Sequence, residues 1–255
     1  MKLVSVEVPD NHAYLLPIGD IHFGDKAFGK VGKQKLQGYL AWVKANKNAR
    51  IFLMGDLLNV ASRHSKTSPF DSNTDEYQDI VKFFEPFKSQ IIGGISGNHE
   101  DRMTDMFGFN PLIPFCAVLG IPFLGFSAVI RFRVGKKPKQ DEYYQTYYLY
   151  AHHTTGGGGT LGGALNRKVK LQELVQGVDA YMGGHTHQLA VGFRSVFSPG
   201  TNEIVERKIA YIDTGSFLDW QGSYAEAKQM PPGKLGAPRI RLSGTRHHHD
   251  LHVSL

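Results

Sequence analysis

Apolar positions along the chain follow two periods, and their order outlines a fold. "AYLLPIGD" (13–20), "ARIFLMGD" (49–56) and "SQIIGGISGNHE" (89–100) are short apolar runs that end in polar turns, and they read as strands. Between the first two, "KQKLQGYLAWVKANK" (33–47) carries Leu36, Tyr39, Leu40 and Val43 at spacings of three and four, the mark of an amphipathic helix. "TDEYQDIVKFFEPF" (74–87) opens with a capping threonine and an acidic first turn, so a second helix is expected there. A β-α-β-α-β order implies parallel strands joined by crossover helices.

The second half is richer in strands. "PFLGFSAVIRFRVG" (122–135) and "EYYQTYYLYAHH" (142–153) flank a turn and read as hairpin partners. "LNRKVKLQELVQGVD" (165–179) reads as a helix ending at Gly177. Residues 190–216 read as two strands around a Pro-Gly-Thr-Asn turn, and "LHVSL" alternates like a final strand. With no repeat and no linker, one domain over residues 1–255 is expected: an α/β core continued by a mostly antiparallel second sheet.

Composition narrows the class only slightly. The chain is 41% hydrophobic and 20% charged, as in ordinary soluble proteins. No apolar run is long enough to span a bilayer, and the start lacks a signal-peptide pattern, so a cytoplasmic location without membrane association is expected. Cys116 is alone, which excludes an internal disulfide. The net charge of +6 suits a polyanionic partner such as DNA or RNA, although the basic residues are scattered. Oligomeric state is not legible.

The candidate chemistry lies at the strand ends, which yield "GDIH", "GDLLN", "GNHE", "AHH" and "GGHTH". In open α/β sheets such ends converge on one rim, where ligands bind. Seven candidate metal ligands therefore meet: Asp20, His22, Asp56, Asn98, His152, His185 and His187. Imidazoles with hard oxygens suit Mn, Fe, Ni or Zn better than Ca or Mg. Seven ligands are too many for one ion but suffice for two, with the Asp56 carboxylate as the natural bridge. In extended backbone His185 and His187 would project to one side, one toward each ion, with Gly183 and Gly184 allowing close approach.

These motifs, in this order over roughly residues 18 to 188, resemble the calcineurin-like metallophosphoesterases, and more closely their phosphodiesterase and nuclease branch. The resemblance implies a four-layer α/β fold, a central β-sandwich of two mixed sheets flanked by helices. It implies two divalent transition-metal ions, Mn2+ first among them. Asp20, His22 and His187 would hold one ion, Asn98, His152 and His185 the other, with Asp56 shared. His152 takes the ligand position because it comes directly after the apolar strand, which leaves His153 to face substrate or to support the ligands. His99 would act as general acid toward a leaving group displaced by a metal-activated hydroxide. Asp101 or Glu100 would orient its ring.

Arg102, His153 and Arg63 are candidate substrate contacts. Arg63 lies with Lys66 in the polar segment 59–73, which reads equally well as a solvated loop. "TTGGGGTLGG" (154–163) lacks the ending of a phosphate-binding P-loop and reads as a loop beside the metals. Three functions compete. "GDLLN" and the full "GHTH" favour a phosphodiesterase, with nucleic acid among its substrates. "GNHEDR" resembles protein serine/threonine phosphatases, but "LLNVA" replaces their Asp-Arg-Gly element after Asp56. A non-catalytic scaffold is disfavoured by the complete ligand set and His99.

Overall fold

The computed structural model describes the chain except residues 61–72, 139–141, 157–159, 200, 201, 228 and 230. Its strands are β1 (Lys2–Val8), β2 (His12–Ile18), β3 (Ala49–Leu53), β4 (Ile91–Gly94), β5 (Ser127–Lys136), β6 (Tyr143–His152), β7 (Ala180–Gly183), β8 (Leu189–Pro199), β9 (Ile204–Thr214), β10 (Arg239–Ser243) and β11 (Leu251–Ser254). They form a six-stranded sheet in the order β1-β5-β6-β7-β9-β8 and a five-stranded sheet in the order β11-β10-β2-β3-β4. The helices that matter here are α1 (Lys30–Ala45), α2 (Asn73–Phe84), α3 (Asn98–Phe107), α4 (Leu112–Leu119) and α5 (Leu161–Lys170).

The two sheets face each other across a shared apolar layer. Val8, Leu15, Phe52 and Met54 meet Phe132, Leu149, Met182 and Ile212 there, all fully buried. Strand alternation sends the next residues the other way, so Leu16, Ile18, Ile51 and Leu53 pack against Leu36, Leu40, Ile80, Phe84 and Phe115 of α1, α2 and α4. On the far side, α5 contacts β7, β8 and β9, above a cluster that includes Tyr150, Tyr181 and Tyr211. The result is four layers, with β2, β3 and β7 buried on both faces over most of their length.

Several expectations need correction. The six-stranded sheet is mixed, as the resemblance implies, and not mostly antiparallel as the strand pattern alone suggests: β1 pairs with β5, β6 with β7 and β7 with β9 in parallel. The helix at 74–87 ends at Phe84 and continues as a 3-10 turn over Glu85–Gln90, because Pro86 removes an amide that an α-helix needs. The helix of 165–179 begins earlier, at Leu161, where the Thr160 hydroxyl accepts from the Gly163 amide (3.1 Å), and it ends at Lys170. Three elements carry no usable period in the sequence. Edge strand β1 alternates only weakly, α4 is apolar all round, and β10 comes after a loop rich in Gly and Pro. No described helix is long and apolar enough to cross a membrane.

Phe52 fills the centre of the sandwich. Phe52→Ala is expected to cost about 3–5 kcal/mol, whereas exposed Phe197→Ala should cost less than about 0.5 kcal/mol; denaturant midpoints measure both.

Candidate metal centre

β2 and β3 are parallel neighbours, and the chain leaves both along the same course. The Asp20 amide donates to Gly55 O (3.0 Å), the Ile21 and His22 amides to Asp56 O (3.0 Å each), and the Phe23 amide to Leu57 O (2.8 Å). Two loops locked side by side deliver Asp20, His22 and Asp56 to one spot. All three are left-handed, with φ of 48°, 48° and 49°. So are His185 and His187, with φ of 73° and 57°. Each such residue stores roughly 1–3 kcal/mol of strain, and Asp and His tolerate the region better than most side chains.

The segment "GNHE" braces this arrangement from the third strand end. Gly97 is required, since a Cβ there would lie 2.2 Å from Asp56 Oδ1. α3 then starts at Asn98, and the His99 amide in its first turn donates to Asp56 Oδ1 (2.8 Å). One Asp56 oxygen is thereby fixed, and Oδ2 lies 3.7 Å from His22 Nε2 and 3.3 Å from His153 Nε2. Glu100 is fully buried; its Oε2 accepts from the Asp56 (2.9 Å) and Gly97 (3.0 Å) amides and its Oε1 from Leu57 (2.8 Å) and Leu58 (3.2 Å). Burial and the Asp56 charge push Glu100 up to about 7. With four amides donating to its two oxygens, however, the pocket suits the anion.

Neither Glu100 nor Asp101 orients His99. Asp101 accepts from Ser96 Oγ (2.6 Å), and the His99 ring is held by its Nδ1–H, which donates to Asn59 O (2.6 Å). That leaves Nε2 as the nitrogen able to exchange a proton with a bound molecule. The ring stands edge-on to His22, with centroids 4.4 Å apart.

The structure brings His153 to the centre and leaves His152 outside it. Along β6, Tyr147, Leu149 and Ala151 face the sandwich, and a period of two continues to His153. His152 falls on the α5 side with Tyr150, and its Nδ1 accepts from the Thr154 amide (2.8 Å). His153 is buried; Nδ1–H donates to Met54 O (2.7 Å), and Nε2 lies 3.2 Å from Asn98 Oδ1.

"GGHTH" forms a turn between β7 and β8, so the two histidines are not in extended backbone. Alternate left-handed residues still aim them apart. His187 Nε2 sits 3.2 Å from Asp20 Oδ1 and 3.3 Å from His22 Nε2, while His185 Nδ1 sits 2.6 Å from Asn98 Oδ1. Gly184 permits the approach, since a Cβ would lie 2.5 Å from Asp20 Oδ2. Of the remaining candidates, half-buried Arg102 is three residues beyond His99 on α3, and Arg63 lies outside the described residues.

Among the described residues, three groups offer ligand atoms within 4.8 Å of one another: Asp20, His22 and His187; His22, Asp56 and His99; and Asp56, His153 and His185. Asp56 belongs to two of these groups, as the bridging carboxylate of a double site would. The donors fit divalent transition metals, and the Nδ1–H of His153 on a backbone carbonyl is the arrangement of a ligating imidazole. Burial opposes ionisation of Asp20 and Asp56, yet the surrounding imidazoles hold both carboxyls below their ordinary range. Burial, against the pull of Asp56, holds His22 down to about 3. His153 moves the other way, up to about 10, because the Asp56 and Asp20 charges outweigh its burial.

Buried Asp and His groups gathered at one rim of a mixed α/β sandwich suit a divalent metal site of a metal-dependent phosphoester hydrolase. A family model for the calcineurin-like phosphoesterases matches residues 15–189, a span that holds all of these residues, and the chain belongs to that family. A comparison with curated proteins finds no match.

This geometry sets two expected outcomes. Glu100→Gln sets an amide donor against backbone donors and should lower stability by at least about 2 kcal/mol, read from the denaturant midpoint. His153 carries a proton in the metal-free protein, with its value raised from 6.5 to about 10. Its contribution to metal-free stability is full below 6.5 and fades as pH rises toward 10. Metal must displace that proton, so Mn2+ affinity should strengthen with pH over this window and binding should release protons. Calorimetry in buffers of different ionisation enthalpy would show the release; identical heats would contradict it.

Proposed function

We propose that the protein is a two-metal phosphodiesterase acting on nucleic acid or another polyanionic diester. One ion would be held by Asp20, His22 and His187, the other by Asn98, His153 and His185, with Asp56 between them. When bound, the ions supply Lewis-acid charge to the phosphoryl oxygens and lower the pKa of water to the neutral range. Mn2+ is the first candidate, and Fe, Zn and Ni suit the same donors.

The observation that carries the reading is His99, whose position is set from both ends. Its amide fixes Asp56 and its Nδ1–H is held by Asn59 O. Nε2 is then the nitrogen that delivers a proton to the leaving oxygen, which is the help an alkoxide needs. Asp20 and Asp56 stay ionised beside it because the imidazoles around them favour the anion. The two residues after Asp56 support the diester preference. Leu57 and Leu58 are buried and bring no cation to balance a phosphomonoester dianion, whereas a diester carries one charge fewer. The net charge of +6 favours a polyanionic substrate.

Under Mn2+, bis-p-nitrophenyl phosphate should be hydrolysed with a higher kcat/KM than p-nitrophenyl phosphate; the reverse order would replace the proposal with a phosphomonoesterase. His99→Asn should lower kcat by about 10²–10⁴ with an alkoxide leaving group and leave metal content unchanged. Loss of metal in that variant would make His99 a ligand instead.

A further inference from the structure

Lys168 is fully buried, an unusual place for an ammonium. It enters from the last turn of α5 and meets Asp213, also fully buried, at 2.8 Å. Asp213 belongs to β9 and lies opposite Gly183, the last residue of β7 before the "GHTH" turn. A buried ion pair loses two hydration shells, and an apolar pair of equal volume would pack there at no such cost. Asp213 Oδ1 has no hydrogen-bond partner among the described residues, so the pair is not fully satisfied there.

The donors of Lys168 show what the charge is used for. Besides Asp213, Nζ donates to Gly184 O (3.1 Å) and to Thr186 Oγ1 (3.4 Å). Thr186 in turn donates its hydroxyl to Asp213 Oδ2. Gly184 O takes a second donor, the Thr154 hydroxyl (2.9 Å). The acceptors therefore flank His185 on both sides and stop one residue short of His187. Both imidazoles of this turn sit in left-handed backbone, which needs support from surrounding hydrogen bonds.

We infer that Lys168, neutralised by Asp213, is a positioning residue that clamps the "GHTH" turn from beneath and sets both His185 and His187 for metal binding. This rests on the reading of those histidines as ligands. Among the described residues, the ammonium's polar partners are Asp213, Gly184 O and the Thr186 hydroxyl, none of them a candidate metal ligand. It acts through Gly184 O and the Thr186 hydroxyl, and its effect should appear in metal affinity before it appears in fold stability.

The test titrates Mn2+ into metal-free protein by calorimetry, with thermal unfolding measured alongside. Lys168→Met with Asp213→Leu removes both charges at similar volume. It is expected to fold cooperatively, with a melting temperature at or above the wild type, and to bind Mn2+ about 10- to 100-fold more weakly. Thr186→Val, which removes a single link, should weaken Mn2+ by a smaller factor, and it decides the matter if the double variant does not fold. Wild-type Mn2+ affinity in whichever of these variants folds overturns the inference. His187→Ala is the control for the reading beneath it. If it loses Mn2+ while the clamp variants do not, the site stands and the clamp fails; if it binds Mn2+ like the wild type, the ligand assignment itself is wrong.

Discussion

The site depends on how one carboxylate is held. Asp56 Oδ1 is fixed by the first-turn amide of α3, and Oδ2 is thereby presented between His22 and His153. Every neighbouring constraint serves that placement. Gly97 clears the space, Glu100 collects the amides of Asp56, Leu57 and Leu58, and the Asp56 carbonyl fixes the loop that carries Asp20 and His22. Three strand ends are thus tied into one rigid unit around a single acidic side chain.

That unit is strained and electrically crowded. Asp20, His22, Asp56, His185 and His187 all sit in left-handed backbone, which only the surrounding hydrogen bonds can sustain. Two buried carboxylates stand among several imidazoles, and in the metal-free protein protons occupy part of the charge that cations would otherwise supply. Fixed backbone and two ionised carboxylates together make a site suited to metal, since little backbone must move when ions replace protons. The Glu100 and Lys168 networks brace opposite sides of the same cluster, one under Asp56 and the other under the histidine turn.

Much of this is legible in the chain, and the misses have physical causes. Strand ends with polar residues reveal Asp20, His22, Asp56, Asn98, His185 and His187, because apolar runs broken by "GD", "GN" and "GH" leave little ambiguity. His153 is harder. The end of β6 is buried on both faces, and the run Leu149, Tyr150 and Ala151 hides the parity that would separate His153 from His152. Glu100 reads as an orienter of its neighbour, since sequence proximity says nothing of a helix turn that sends adjacent side chains in different directions. Asn59 O and the Lys168–Asp213 pair leave no mark, one being backbone and the other joining residues far apart in the chain. Apolar periodicity alone does not show the mixed pairing of the six-stranded sheet, which the family resemblance implies, because parallel partners such as β7 and β9 are separated by a whole intervening strand.

The most direct test of the central claim is the electron paramagnetic resonance spectrum of the protein loaded with Mn2+. A carboxylate shared between neighbouring sites predicts two ions per chain whose spins are exchange-coupled. A single ion per chain, or two ions that give only the six-line pattern of isolated Mn2+, would contradict it.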